Sequence, residues 1–141
     1  MNSKLFSNKP FYQQEALGAV RIVTGAFMIY HGFEIFSSAT MQQYLEWDMF
    51  KNSPNGKLLV YIGKGAEFIS GLLLFLGLFT RVAAIILTGT MLYTTFFVGN
   101  GKIWYDAQHP FMFVLLAVLF FFAGPGKWNF DTLLMKINKS T

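Results

Sequence analysis

Four apolar stretches set the pattern of this chain, since a helix that crosses a bilayer needs about 20 mostly apolar residues. The first covers residues 16–36 and is interrupted by Arg21, His31 and, near its end, Glu34. The second covers 58–79 and is interrupted by Lys64 and Glu67. The third, 82–98, carries no charge. The fourth runs from 106 to 123, centred on the apolar run 111–123. Thr80-Arg81 is read as the break between the second and third stretches, giving a tight antiparallel hairpin. Asp106 is a candidate cap for the fourth helix, Pro110 falls in its first turn, and Gly124-Pro125-Gly126 stops it. The expectation is an all-α, integral membrane four-helix bundle, antiparallel, with residues 1–141 forming one domain.

The first three helix wheels each have a small or polar face. On the first span, Gly18, Gly25 and Gly32 recur every seven residues, flanked by Arg21, Thr24, Met28 and His31. Ala19, Ile22, Val23, Ala26, Ile29, Tyr30 and Phe33 occupy the opposite arc. On the second span Gly63, Ser70 and Gly77 form the same series, with Lys64, Glu67 and Gly71 beside it. Ala84, Thr88 and Thr95 form a weaker stripe on the third. Small residues let membrane helices approach closely, so the glycines are read as packing seams.

Composition agrees. Apolar types are 54% of the 141 residues and charged types 13%, half the roughly 25% of an average soluble protein. The 17 Phe, 6 Tyr and 3 Trp exclude a disordered chain. With no cysteine, the chain carries no disulfide, thiolate metal site or CxxC chemistry. The net charge of +4 is a topology signal, not a nucleic-acid footprint. Lys4, Lys9, Arg21, Arg81, Lys127, Lys136 and Lys139 share the side that holds both termini. Lys51, Lys57, Lys64 and Lys102 lie on the other. The positive-inside rule then puts both termini in the cytoplasm and the 37–57 loop outside, in a multi-pass inner-membrane protein. Within that loop, residues 41–47 are read as a short interfacial helix with Tyr44 and Trp47 at headgroup depth. Ser37-Ser38-Ala39 faintly resembles a signal-peptidase site, but Arg21 and His31 argue against a cleaved leader.

Candidate chemistry lies in the outer half of the bundle. Aligning the outer ends of the first two spans brings together His31, Glu34, Lys64, Glu67 and, entering near that end, His109. Lys64 and Glu67 are three apart and can pair. Arg21 sits about 9 Å lower at 1.5 Å per residue, within reach of Glu67 only if both side chains extend. Ionised groups at bilayer depth cost about 2.5–3.5 kcal/mol on insertion scales. Three readings cover them: an ion-pair network fixing helix register, a polar pocket for a quinone, small ligand or proton, and snorkelling of Glu34 and Lys64. Spacing disfavours a bis-His haem, because His31 lies a turn deeper than His109. A zinc on His31, Glu34 and His109 would be an open three-ligand site and is also disfavoured. The glycine-lysine pairs lack phosphate-loop spacing, and no Ser-His-Asp arrangement emerges.

Three strings carry a family resemblance. RIVTGAFMIYHGFEIF in the first span, GKGAEFISGLLLFLGLFTRVAAIILTGTMLYTTFF through the central hairpin, and FFAGPGKWNFD at the close resemble the DoxX family in order and spacing over residues 15–134. The resemblance implies a four-helix inner-membrane protein linked to quinone-dependent redox or oxidative-stress complexes. Other relatives assist the assembly of membrane receptors. It carries over Glu67, Gly71, Arg81, Gly124 and Asp131. Gly32-Phe33-Glu34-Ile35 departs from the family's Gly-x-x-Lys pattern and places an acid where a base is expected. A looser likeness to vitamin K epoxide reductase bundles brings no mechanism, because those enzymes use cysteines. Two functions follow: a membrane subunit or partner of a quinone-linked redox complex, not catalytic alone, or a non-enzymatic assembly partner. The expected contacts are lipid, a partner protein or a second copy, and no nucleic acid.

Overall fold

The computed structural model describes residues 7–138; Lys4 and Lys139, counted above for topology, lie outside the described residues. Among the described residues there are seven α-helices and no strand: α1 (Gln13–Gly32), α2 (Ser38–Leu45), α3 (Asp48–Lys51), α4 (Gly56–Leu76), α5 (Thr80–Tyr93), α6 (Gln108–Ala123) and α7 (Phe130–Asn138). A 3-10 turn (Phe33–Phe36) extends α1 and a π turn (Thr94–Val98) extends α5. With these extensions, Gln13–Phe36, Gly56–Leu76 and Thr80–Val98 are long and apolar enough to cross a membrane, whereas Gln108–Ala123 is a shorter apolar helix.

The small-residue face of α1 is the buried one. Gly18, Arg21, Thr24, Gly25, Met28 and Gly32 are inside, while Val20, Val23, Phe27, Tyr30 and Phe33 are exposed. Helices α1 and α4 pack against each other along most of their length, with backbones in close approach. A Cβ on Gly71 would stand 2.6 Å from the Ile29 nitrogen, and one on Gly25 would meet the Phe75 backbone. Helix α4 packs in turn on α5, and α5 on α6, around Met28, Leu74, Ala83, Ala84, Leu87, Met91 and Phe120. Helices α1 and α6 touch at few points, which leaves that seam open.

Several boundaries differ from the sequence pattern. Helix α4 stops at Leu76, not at residue 79, because Gly77 adopts a left-handed conformation (φ 66°). The Gly77 N–H donates to the Leu74 carbonyl and the Leu78 N–H to that of Leu73, at 3.1 and 2.9 Å, which is a Schellman stop. The break between α4 and α5 is thus Gly77-Leu78-Phe79, one step before Thr80-Arg81. Gly77 serves as a helix stop as well as a close-packed position. The start of α6 is Ala107-Gln108, and Asp106 makes no cap there; Pro110 still falls in the first turn. Gly63 continues the spacing of Ser70 and Gly77, but a Cβ on it would meet nothing. It faces a cavity and not a helix.

Candidate functional site

The C-terminal end of α1 with its 3-10 extension, and the N-terminal half of α4, deliver three charged groups to one point. The Lys64 Nζ lies 2.8 Å from the Glu34 Oε2 and 3.0 Å from the Glu67 Oε2, and also donates to the His31 carbonyl at 3.4 Å. Two carboxylates therefore converge on one ammonium, whose three donors are all engaged. Helix α2 closes over them. The Tyr44 hydroxyl donates to Glu34 Oε2 at 2.6 Å, and Lys64 Nζ stands 4.7 Å from the centre of the Tyr44 ring. Burial, and then the bond to Glu34, push the Tyr44 phenol above its ordinary value.

Tyr44, Lys64 and Glu67 of this cluster form one wall of a cavity of about 220 Å³, which Glu34 does not line. Most of the remaining surface is apolar: Met28, Met91, Phe113, Leu59 and Val60 from the helices, with Trp47 and Phe50 as a roof. Gly63 opens the α4 wall. At one edge the His31 and His109 rings meet edge to face, centroids 5.7 Å apart, and neither imidazole hydrogen-bonds to another described residue. That arrangement differs from two ligands opposed across a macrocycle. The Glu34 carboxylate is turned toward Lys64 and Tyr44. Among the described residues no three His, Asp or Glu groups converge as metal ligands. A cavity of roughly 150 Å³ lined by apolar side chains can hold benzene, so this one has room for a single substituted ring.

Arg21 belongs elsewhere. It is fully buried at the opposite end of the bundle, away from Glu67. Its Nε donates to the Pro125 carbonyl at 2.7 Å. One terminal nitrogen donates to the carbonyls of Leu74 and Phe75 at the end of α4, the other to those of Lys127 and Trp128 at 3.2 and 2.7 Å. A guanidinium has five N–H donors, and all five are used on backbone oxygen. Arg21 thus ties the end of α4 to the segment after α6, with no donor left for a ligand. Asp131 completes this end: its carboxylate accepts from the N–H groups of Phe79 and Thr80, at 2.7 and 3.1 Å, and caps α5 from across the chain.

Residues 16–100 match the model of the DoxX family. This chain belongs to the DoxX family. It is a DoxX membrane protein with apolar helices. A protein of Haemophilus influenzae described only as uncharacterized is 29% identical over 140 residues, covering 92% of this chain and 98% of that one. No solved structure matches.

Of the residues carried over by resemblance, Glu67, Gly71 and Arg81 fall inside the matched segment. Glu67 holds Lys64, Gly71 is a contact point with α1, and Arg81 is exposed on α5. Gly124 and Asp131 lie beyond the match, at the Arg21 end. The pattern of DoxX spans did not reveal the roof. Tyr44, Trp47 and Phe50 line the cavity instead of lying only at headgroup depth. Their three-residue spacing, an aromatic stripe on one side of the loop, was the available signal.

Proposed function

We propose that this DoxX protein crosses the inner membrane four times, with both termini in the cytoplasm, and serves as a membrane subunit or partner of a quinone-linked redox complex. On this reading α6, about 24 Å long at 1.5 Å per residue, is the fourth span. A cysteine at position 55, in the outer loop, would be labelled on intact cells by an impermeant reagent, and one at the C-terminus would not.

The observation that carries the ligand reading is the cavity: single-ring size, apolar walls, and two imidazoles at its edge without hydrogen bonds to other described residues. A quinone ring would stack among Met28, Met91, Phe113 and Trp47, with its oxygens within the donors' and acceptors' field. The Glu34–Lys64–Glu67 cluster holds more negative than positive groups and supplies a place to take up or release a proton. Electrons would come from the partner.

Glu67→Gln tests this reading with two readouts. Lys64 keeps Glu34 in that variant, so the cation stays compensated and the melting temperature should hold. Quinone retained through purification should be lost. A variant that retains quinone as the wild type does, or a wild type that carries none, counts against the proposal.

A specific observation also favours the second reading, a non-enzymatic partner whose cluster fixes register: all three Lys64 donors are already satisfied within the chain. That reading expects Lys64→Met to unfold the bundle and no ligand to be bound.

A further inference from the structure

A second space adjoins the cavity at His109. His109 and Phe113 also line this space, of about 420 Å³, on the open seam between α1 and α6. Its other walls are Ala19, Val20, Val23 and Phe27 on α1, and Met112 and Leu116 on α6. Apart from Thr24 and His109 these walls are apolar, and the Thr24 hydroxyl is occupied by the Val20 carbonyl at 2.7 Å. Phe27 and Phe113, which both line this space, meet edge to face at 6.5 Å. From Phe27 to Ala19 the groove follows α1 for about 12 Å at 1.5 Å per residue.

The two spaces differ in chemistry. The cavity is compact, roofed by Tyr44, Trp47 and Phe50, and has charged groups on one wall. The groove is long, apolar and directed along the helices. A molecule touching His109 from both sides would have a compact polar head and a long hydrocarbon tail.

We infer that the α1–α6 groove is the tail-binding half of the site, so that the ligand is a lipid-tailed quinone entering sideways from the bilayer past His109. This rests on the quinone reading of the cavity. His109 is exposed and lines both spaces, which puts it at their junction.

The test uses the full-length protein in liposomes and a benzoquinone whose alkyl tail carries a photoreactive diazirine. After illumination the labelled residues are mapped by peptide mass spectrometry, with and without excess tail-free benzoquinone. Labelling at Val20, Val23, Met112 and Leu116 that the tail-free ring suppresses is the expected result, and Val23→Phe should reduce it. Labelling suppressed by the ring but mapped to other faces overturns the groove and leaves the cavity reading intact. Labelling in the groove that the ring does not suppress, or equal labelling there by a diazirine phospholipid, makes the groove an ordinary acyl-chain site and overturns the inference. No ring-suppressible labelling anywhere overturns the quinone reading itself, and the groove assignment falls with it.

Discussion

Replacing Arg21 with Ala removes the five side-chain hydrogen bonds that tie the end of α4 to the segment after α6, leaving the bond from the Asp131 N–H to the Gly77 carbonyl at 3.0 Å. Hydrogen bonds to charged groups contribute about 1.5–3 kcal/mol each, but the five are not additive. The Leu74 carbonyl keeps the Gly77 N–H, and the released segment can rehydrate at the membrane surface. The comparable case is the loss of one partner from a buried charged network, about 3–5 kcal/mol. At roughly 4 °C per kcal/mol for a chain of this size, that is a fall of about 12–20 °C in Tm. Arg21→Lys keeps the charge but brings three donors on a differently shaped head, and should recover only part. Thermal unfolding in detergent, followed by circular dichroism, measures both. An Arg21→Ala protein that melts within a degree or two of the wild type would refute the assignment of Arg21 as a structural tie. So would an Arg21→Lys protein of unchanged Tm that no longer retains ligand.

Gly71→Leu should destabilise the bundle by at least the 1–3 kcal/mol typical of overpacking, since its Cβ meets the α1 backbone, whereas Gly63→Ala should leave Tm unchanged; equal effects in the two would contradict the placement of the cavity. Asp131→Ala should cost about 1 kcal/mol as the loss of a helix cap, and Asp131→Asn less, read from the same melts; an unchanged Tm for Asp131→Ala would dismiss the cap. Tyr44→Phe should cost about 1–2 kcal/mol for the lost bond to Glu34. Because the phenol is pushed up in the folded chain, that difference should be constant below about pH 10 and shrink as pH rises through the folded value; a difference that vanishes already near neutrality would show the bond is not formed.

The buried face of α1 was legible because a seven-residue spacing of glycines drifts little around a helix, and the lipid-like arc is indeed the exposed one. The same logic misassigned Gly63, since spacing says which residues share a face but not whether a neighbour fills it. It also missed the stop at Gly77, where one left-handed residue ends α4 at Leu76, three residues ahead of the hydrophobic pattern. Depth arithmetic brought Lys64, Glu34 and Glu67 together, as three residues on two adjacent helices can be aligned by rise alone. Arg21 escaped it because its partners are backbone carbonyls, which leave no mark in side-chain chemistry, and the segment that supplies three of them is 104 or more residues away in sequence. The roof escaped for a related reason: the path of the 37–57 loop is set by where Tyr44 finds Glu34.

The central claim is that the outer cavity receives a quinone ring. Trp47 lines that cavity, while Trp104 and Trp128 do not, so a protein with Trp104→Phe and Trp128→Phe reports on the cavity alone. Titration with a tail-free benzoquinone should quench Trp47 fluorescence saturably, and Gly63→Leu, which fills the space that Gly63 leaves open, should abolish saturation without lowering Tm. Quenching that stays linear with concentration in the parent protein, or saturates equally in the Gly63→Leu variant, would contradict the claim.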